Sequence, residues 1–79
     1  MIVKVKLFAT LRKYYPEVPL GESFNVTLDS GSTIAQLYEH LRIPEEQIKI
    51  ILVNGLYCER THVLSDEDEI GIFSPVGGG

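Results

Sequence analysis

Only one long stretch of this sequence has a helical period, and stretches of period two lie on both sides of it. Ile34, Leu37, Tyr38 and Leu41 fall at i, i+3, i+4 and i+7, which makes one apolar stripe. Thr33 stands before the stripe as an N-cap, and Gln36 three residues on completes a capping-box pattern. Pro44 ends the segment, because the residue before a proline is pushed out of helical space. A helix with a single apolar stripe has to bury it against another layer, and the rest of the chain supplies strands.

Those strands are legible by alternation. From Ile2 to Phe8, Val3, Val5 and Leu7 share one face while Lys4, Lys6 and Phe8 share the other. Thr10 to Tyr15, with Leu11, Tyr14 and Tyr15 at helical spacing, predicts one or two helical turns, and Pro16, Pro19 and Gly21 then mark a loop. Ser23 to Leu28 alternates again and predicts a second strand antiparallel to the first; Asp29-Ser30-Gly31 closes it as a turn. After the helix, Glu45-Glu46-Gln47 reads as a polar connector. Ile48 to Val53 is almost continuously apolar and β-branched, the pattern of an interior strand covered on both faces. Asn54-Gly55 is a strong turn signal, and Tyr57 to Val63 predicts a further short strand. Ser65 to Glu69 reads as an acidic turn. The last strand is Glu69 to Phe73, with Ile70 and Ile72 on one face and Gly71 and Phe73 on the other. The order β-β-α-β-(β)-β predicts an α+β domain, its one main helix packed on one face of a mixed sheet of four or five strands. The domain is expected over residues 1–76, with a flexible glycine tail over 77–79.

Composition narrows the function. At 79 residues the chain forms one small domain with a thin core. Its single cysteine, Cys58, excludes an internal disulfide, which suits a reducing compartment. No apolar run reaches the roughly 18–20 residues of a membrane span, and the alternating N-terminus is unlike a signal peptide. A cytoplasmic protein is expected. Seven basic residues face eleven acidic ones, for a net charge of −4. That argues against a nucleic-acid partner and against an anionic membrane, and weakly favours a partner with a basic patch.

No ordinary catalytic constellation is present. His40 and His62 have no signature around them and read as solvated surface residues. Two histidines and one cysteine, widely spaced, make no metal-ligand pattern. Asp66-Glu67-Asp68-Glu69 lacks the spacing of a calcium loop and reads as a solvated turn. The anomaly is the ending Gly77-Gly78-Gly79. Glycine is the costliest residue to order and has no side chain to pack. Three extended residues span at most about 10–11 Å. Such a tail is either an inert frayed end or a probe that can thread a narrow tunnel, which any Cβ would widen, and present its terminal carboxylate inside another protein's active site. A carboxylate is a poor electrophile and needs activation, for example as an acyl adenylate. No phosphate-loop pattern is present here, so a separate enzyme must supply ATP and the activation. Ordering the tail costs on the order of 1–2 kcal/mol per residue, so a docking surface on the domain is a required companion. Phe8 and Phe73, each opposite the core residues of its strand, are the candidates if their strands are parallel neighbours.

These residues resemble a known family. The opening Val3-Lys4-Val5-Lys6-Leu7-Phe8-Ala9-Thr10-Leu11-Arg12, the segment Val53-Asn54-Gly55 and the ending from Asp68 to Gly79 are similar to molybdopterin synthase small subunits, of the MoaD–ThiS sulfur-carrier family. The resemblance implies a ubiquitin-like β-grasp fold with its first and last strands adjacent and parallel. It implies that the C-terminal glycine is adenylated by an adenylyltransferase resembling ubiquitin-activating enzymes. A sulfur donor then converts it to a thiocarboxylate, and the molybdopterin synthase large subunit uses that sulfur. Gly79 would carry the sulfur, with Gly78 and Gly77 as the threading tail. Phe8, Tyr57 and Phe73, together with Pro75 and Val76, would meet the partner. The chain would bind no cofactor or metal and would be a protein substrate, a non-catalytic small subunit. Three positions depart from the pattern. Ser74 stands where a first proline is common, so the tail is expected to start less stiffly. Glu67 stands where a turn glycine is common, and Gly77 extends the usual glycine pair to three. Two other readings stay open: a sulfur carrier for thiamine, cysteine or tRNA thiolation, and a ubiquitin-like modifier joined to lysines of other proteins.

Overall fold

The computed structural model of the chain describes residues 1–75. Five strands form one sheet: β1 (Ile2–Phe8), β2 (Phe24–Thr27), β3 (Ile50–Val53), β4 (Leu56–Tyr57) and β5 (Glu69–Phe73). Their spatial order is β2-β1-β5-β3-β4. β1 pairs with β2 antiparallel and with β5 parallel, while β3 is antiparallel to both β5 and β4. The parallel register sets Lys4 opposite Glu69, Lys6 opposite Gly71 and Phe8 opposite Phe73. The first and last strands are therefore neighbours running the same way, as the resemblance implied.

The one α-helix among the described residues, α1 (Ile34–Leu41), covers one face of the sheet. Its start is a full capping box: the Gln36 backbone N–H donates to Thr33 Oγ1 at 3.3 Å, and the Thr33 N–H donates to Gln36 Oε1 at 2.8 Å. The next donors are met as well, Ile34 N–H by the His62 carbonyl and Ala35 N–H by that of Arg60. Arg42, in left-handed conformation, closes the other end. All four stripe residues are buried, against Val3, Val5 and Leu7 of β1, Val26, Ile51, Val53, Ile70 and Ile72, with Leu11, Leu28, Ile43 and Leu64 filling the margins. Each such side chain contributes about 1.5–3 kcal/mol by leaving water.

The strand pattern differs from the sequence-based expectation in two places. β3 begins at Ile50 and alternates, with Ile51 and Val53 buried and Ile50 and Leu52 half-buried. It is thus interior in the pairing order but covered by the helix on one face alone. The expected strand from Tyr57 to Val63 is only Leu56–Tyr57, and Val63 instead bridges to Thr33 at the helix start. The helical turns expected after β1 are present as a 3₁₀ helix over Ala9–Tyr14, and the polar connector Glu45–Gln47 is a short 3₁₀ turn.

Candidate docking surface and tail exit

The face of the sheet opposite α1 is built by period-two alternation. Residues paired across strands share a face, so the register defines its rows. One row runs Lys6, Gly71, Leu52, Tyr57; the next runs Phe8, Phe73, Ile50. Phe8 and Phe73 lie in a near-parallel stack, ring centroids 4.2 Å apart with 5° between planes. Such a pair contributes about 0.5–1.5 kcal/mol beyond its area. Gly71 makes room for it. A Cβ at that position would sit 3.3 Å from Phe8 Cε2 and 3.4 Å from Phe73 Cε1. The missing side chain leaves a depression of about 300 Å³ walled by Lys4, Lys6, the two rings, Leu52 and Glu69.

The two phenylalanines expected to form an aromatic patch are thus together at the C-terminal ends of β1 and β5. Tyr57 is on the same face and 73% exposed. It stands two strands from Phe73, roughly 10 Å at ordinary strand spacing, so it flanks the pair rather than joining it. Pro75 is exposed immediately beyond β5. Val76, Gly77, Gly78 and Gly79 lie outside the described residues.

The point where the chain leaves the sheet is fixed by contacts the sequence did not disclose. The Phe73 carbonyl accepts from the Lys49 N–H at 2.8 Å. Ser74 is 2% exposed, and its Oγ accepts from the Thr10 N–H at 3.3 Å. The expectation that a serine here loosens the start of the tail is corrected. The hydroxyl ties the exit to the 3₁₀ turn after β1, a fixing that a proline ring would provide through φ instead.

The acidic turn at the other end of β5 is also more than a solvated loop. Asp68 is buried; its Oδ2 accepts from the Ser65 N–H at 2.8 Å and its Oδ1 from Asn54 Nδ2 at 2.9 Å. Asn54 Oδ1 accepts in turn from the Glu69 N–H at 2.9 Å. Asp66 Oδ1 takes the Ile2 N–H at 2.7 Å, and the Glu67 N–H donates to the Ile2 carbonyl at 2.7 Å. These bonds lock the start of β1 to the start of β5 and so set the register that brings Phe8 against Phe73. Asn54 was visible only as a turn residue; its second role needs the neighbouring loop, which pattern reading cannot place.

Elsewhere the chemistry is structural. His40 and His62 are exposed, and Cys58 is half-buried against the core. Among the described residues no group of His, Cys, Asp or Glu could hold a metal ion, and no helix is long and apolar enough to cross a membrane. Arg60 forks onto both carboxylate oxygens of Glu45, with Nη2 to Oε1 at 2.7 Å and Nε to Oε2 at 3.0 Å. That hydrogen bonding holds the exposed Glu45 carboxyl below its usual range and the Arg60 guanidinium above its own. Burial pushes Tyr38, on α1, up to about 12.

A helix-backed five-stranded mixed sheet with parallel first and last strands is the ubiquitin-like β-grasp, and the comparisons agree. Residues 5–79 match the model of the ThiS family, so the chain belongs to that family. A Pyrococcus furiosus protein assigned as molybdopterin converting factor subunit 1 is 27% identical, with a TM-score of 0.75 over 95% of this chain and 98% of that one. Small archaeal modifier protein 1 of Haloferax volcanii is 21% identical, with a TM-score of 0.74 over 95% and 98%. A chain in a complex of subunits 1 and 2 of molybdopterin-converting factor from Helicobacter pylori is 22% identical, with a TM-score of 0.64 over the whole of both chains. No curated protein sequence matches significantly.

Proposed function

We propose that the chain is a sulfur carrier for molybdopterin synthesis, a protein substrate whose Gly79 carboxylate is adenylated and converted to a thiocarboxylate. The observation that carries this reading is the Phe8–Phe73 stack, an open aromatic patch where β1 and β5 end together, four residues before the first terminal glycine. A rigid grip beside a side-chain-free terminus is what delivery into a partner's buried site requires. The membership in the ThiS family and the likeness to the Pyrococcus furiosus subunit support it. The Helicobacter pylori subunit 1 is seen with a subunit 2, which supports a large synthase subunit as one partner. An adenylyltransferase resembling ubiquitin-activating enzymes is the other. ATP and a sulfur donor are used by the partners. A thiocarboxylate sulfur is more nucleophilic than a carboxylate oxygen, and tethering it gives a high effective concentration at the site of use.

The intact mass of protein recovered from its host tests the carrier chemistry. An oxygen-to-sulfur exchange at the terminus supports carriage, and its absence from every preparation overturns it. Co-purification with a large synthase subunit tests the pathway. The likeness to a small archaeal modifier protein, together with the third glycine, favours a second reading as a protein modifier. Isopeptide-linked conjugates in host lysate would establish that one.

A further inference from the structure

The open face carries a charge that the overall balance of the chain hides. Lys4 and Lys6 both point to it from β1. Lys4 has Glu69 directly across the strand pair. Lys6 has Gly71 across from it, a residue with no side chain, and no ion pair reaches it from any described residue. Lys6 is half-buried, and its Nζ stands 6.0 Å from the centroid of the Phe8 ring. Although the chain has eleven acidic residues and a net charge of −4, the described residues thus place beside the aromatic pair an ammonium that none of them ion-pairs. Next to that ammonium is the depression over Gly71, lined by Leu52 and both rings.

We infer that this face selects a protein partner whose contact surface seats an apolar side chain over Gly71 and directs a carboxylate at Lys6. The inference rests on the docking reading above and adds the chemistry of the receiving surface. It reverses what the net charge suggests, since a basic partner surface would meet Lys6 with repulsion at the centre of contact. The apolar centre supplies affinity and the charge supplies choice. Like charges brought together there penalise wrong partners, and attraction speeds encounter in a salt-dependent way. Lys4 makes no ion pair among the described residues either, but it faces the Glu69 carboxylate across the strand pair, which offsets its charge at longer range, so it contributes less.

The test has two arms. In the first, the full chain is titrated by NMR with two capped peptides, Glu-Leu-Glu and Lys-Leu-Lys. The acidic peptide is expected to shift the Lys6, Gly71 and Phe73 amides, and the basic one to leave them in place. Equal response, or none to either peptide, overturns the inference without reference to any partner. In the second, affinity for the host's large synthase subunit is measured for the wild type, Lys6→Gln and Lys6→Glu. A loss of about threefold for the glutamine and tenfold or more for the glutamate is expected at low salt, with unchanged thermal unfolding. The wild-type affinity should fall with salt and that of Lys6→Gln should not. Equal binding by all three forms refutes the charge selection while leaving the carrier reading intact. A wild type that takes up no sulfur at Gly79 refutes the carrier reading whatever the peptides do.

Discussion

Phe73 is the residue on which fold and docking separate most cleanly. Its ring is half-buried, it stacks on Phe8, and it lies on the face away from the helix. Phe73→Ala should therefore cost only about 1–2 kcal/mol of stability, while partner affinity falls more than about tenfold, as for a central aromatic anchor. Urea unfolding and a binding titration on the same preparation check this, and a collapse of the fold would place the ring in the core. Glu67 teaches the converse lesson. Its φ is +68°, in the left-handed region that favours glycine. A glutamate stands where a turn glycine is common, and the turn keeps the glycine-like backbone despite the side chain. Its N–H still donates to the Ile2 carbonyl. Glu67→Gly should raise stability by up to about 1 kcal/mol, the relief of left-handed strain less the extra entropy of glycine. A lower urea midpoint for the variant would show the strain to be absent.

At the scale of elements, what was legible followed from local chemistry. The capping box, the stripe of α1 and the alternation of β1 and β5 depend on residues within a turn or two, and all stand as read. The stack was legible too, because facing and strand end follow from period two once β1 and β5 are known to be parallel. What was not legible needed distant partners. Ile48 to Val53 looked doubly covered because its half-buried positions, Ile50 and Leu52, are also apolar; nothing local says that the second face stays open. Ser74 and Asn54 act through Thr10 and Asp68, across loops that pattern does not join. The helix also carries a pH response. Burial, with a smaller push from Glu45, holds the Tyr38 proton to about 12 against an ordinary 10.0, and burial raises Tyr15 as well. The folded state thus keeps protons that the unfolded chain gives up above about pH 10. The resulting stability is full below that pH and declines from there toward about 12, at up to about 1.4 kcal/mol per pH unit for one such group. Urea midpoints at about pH 9 and 11 should fall in the wild type, and Tyr38→Phe should flatten that fall without abolishing the share due to Tyr15. An equal fall in both proteins would mean that Tyr38 titrates normally.

For the whole molecule the question is whether body and tail are separable. The core, the cap and the acidic knot all lie within residues 1–75, and no buried side-chain nitrogen or oxygen among them lacks a partner. Among the described residues, the side-chain hydrogen bond nearest the glycines is that of Ser74 with Thr10. Stability should therefore be set upstream of Pro75, docking by the open sheet face, and sulfur chemistry beyond Pro75. Removing Gly79, or adding one residue after it, should leave the thermal midpoint within about 1 °C if stability resides in that core, given that 1 kcal/mol moves a domain this small by about 4–8 °C. The same changes should abolish sulfur transfer. Deletion draws the carboxylate back by about 3.3–3.6 Å, and extension puts a side chain or a displaced terminus where the reacting carbon must sit. Calorimetry and intact-mass assays on the same variants read the two effects separately. A truncated chain that melted several degrees lower would show the glycines packed on their own domain, and a truncated chain that still took up sulfur would place the reactive carboxylate elsewhere.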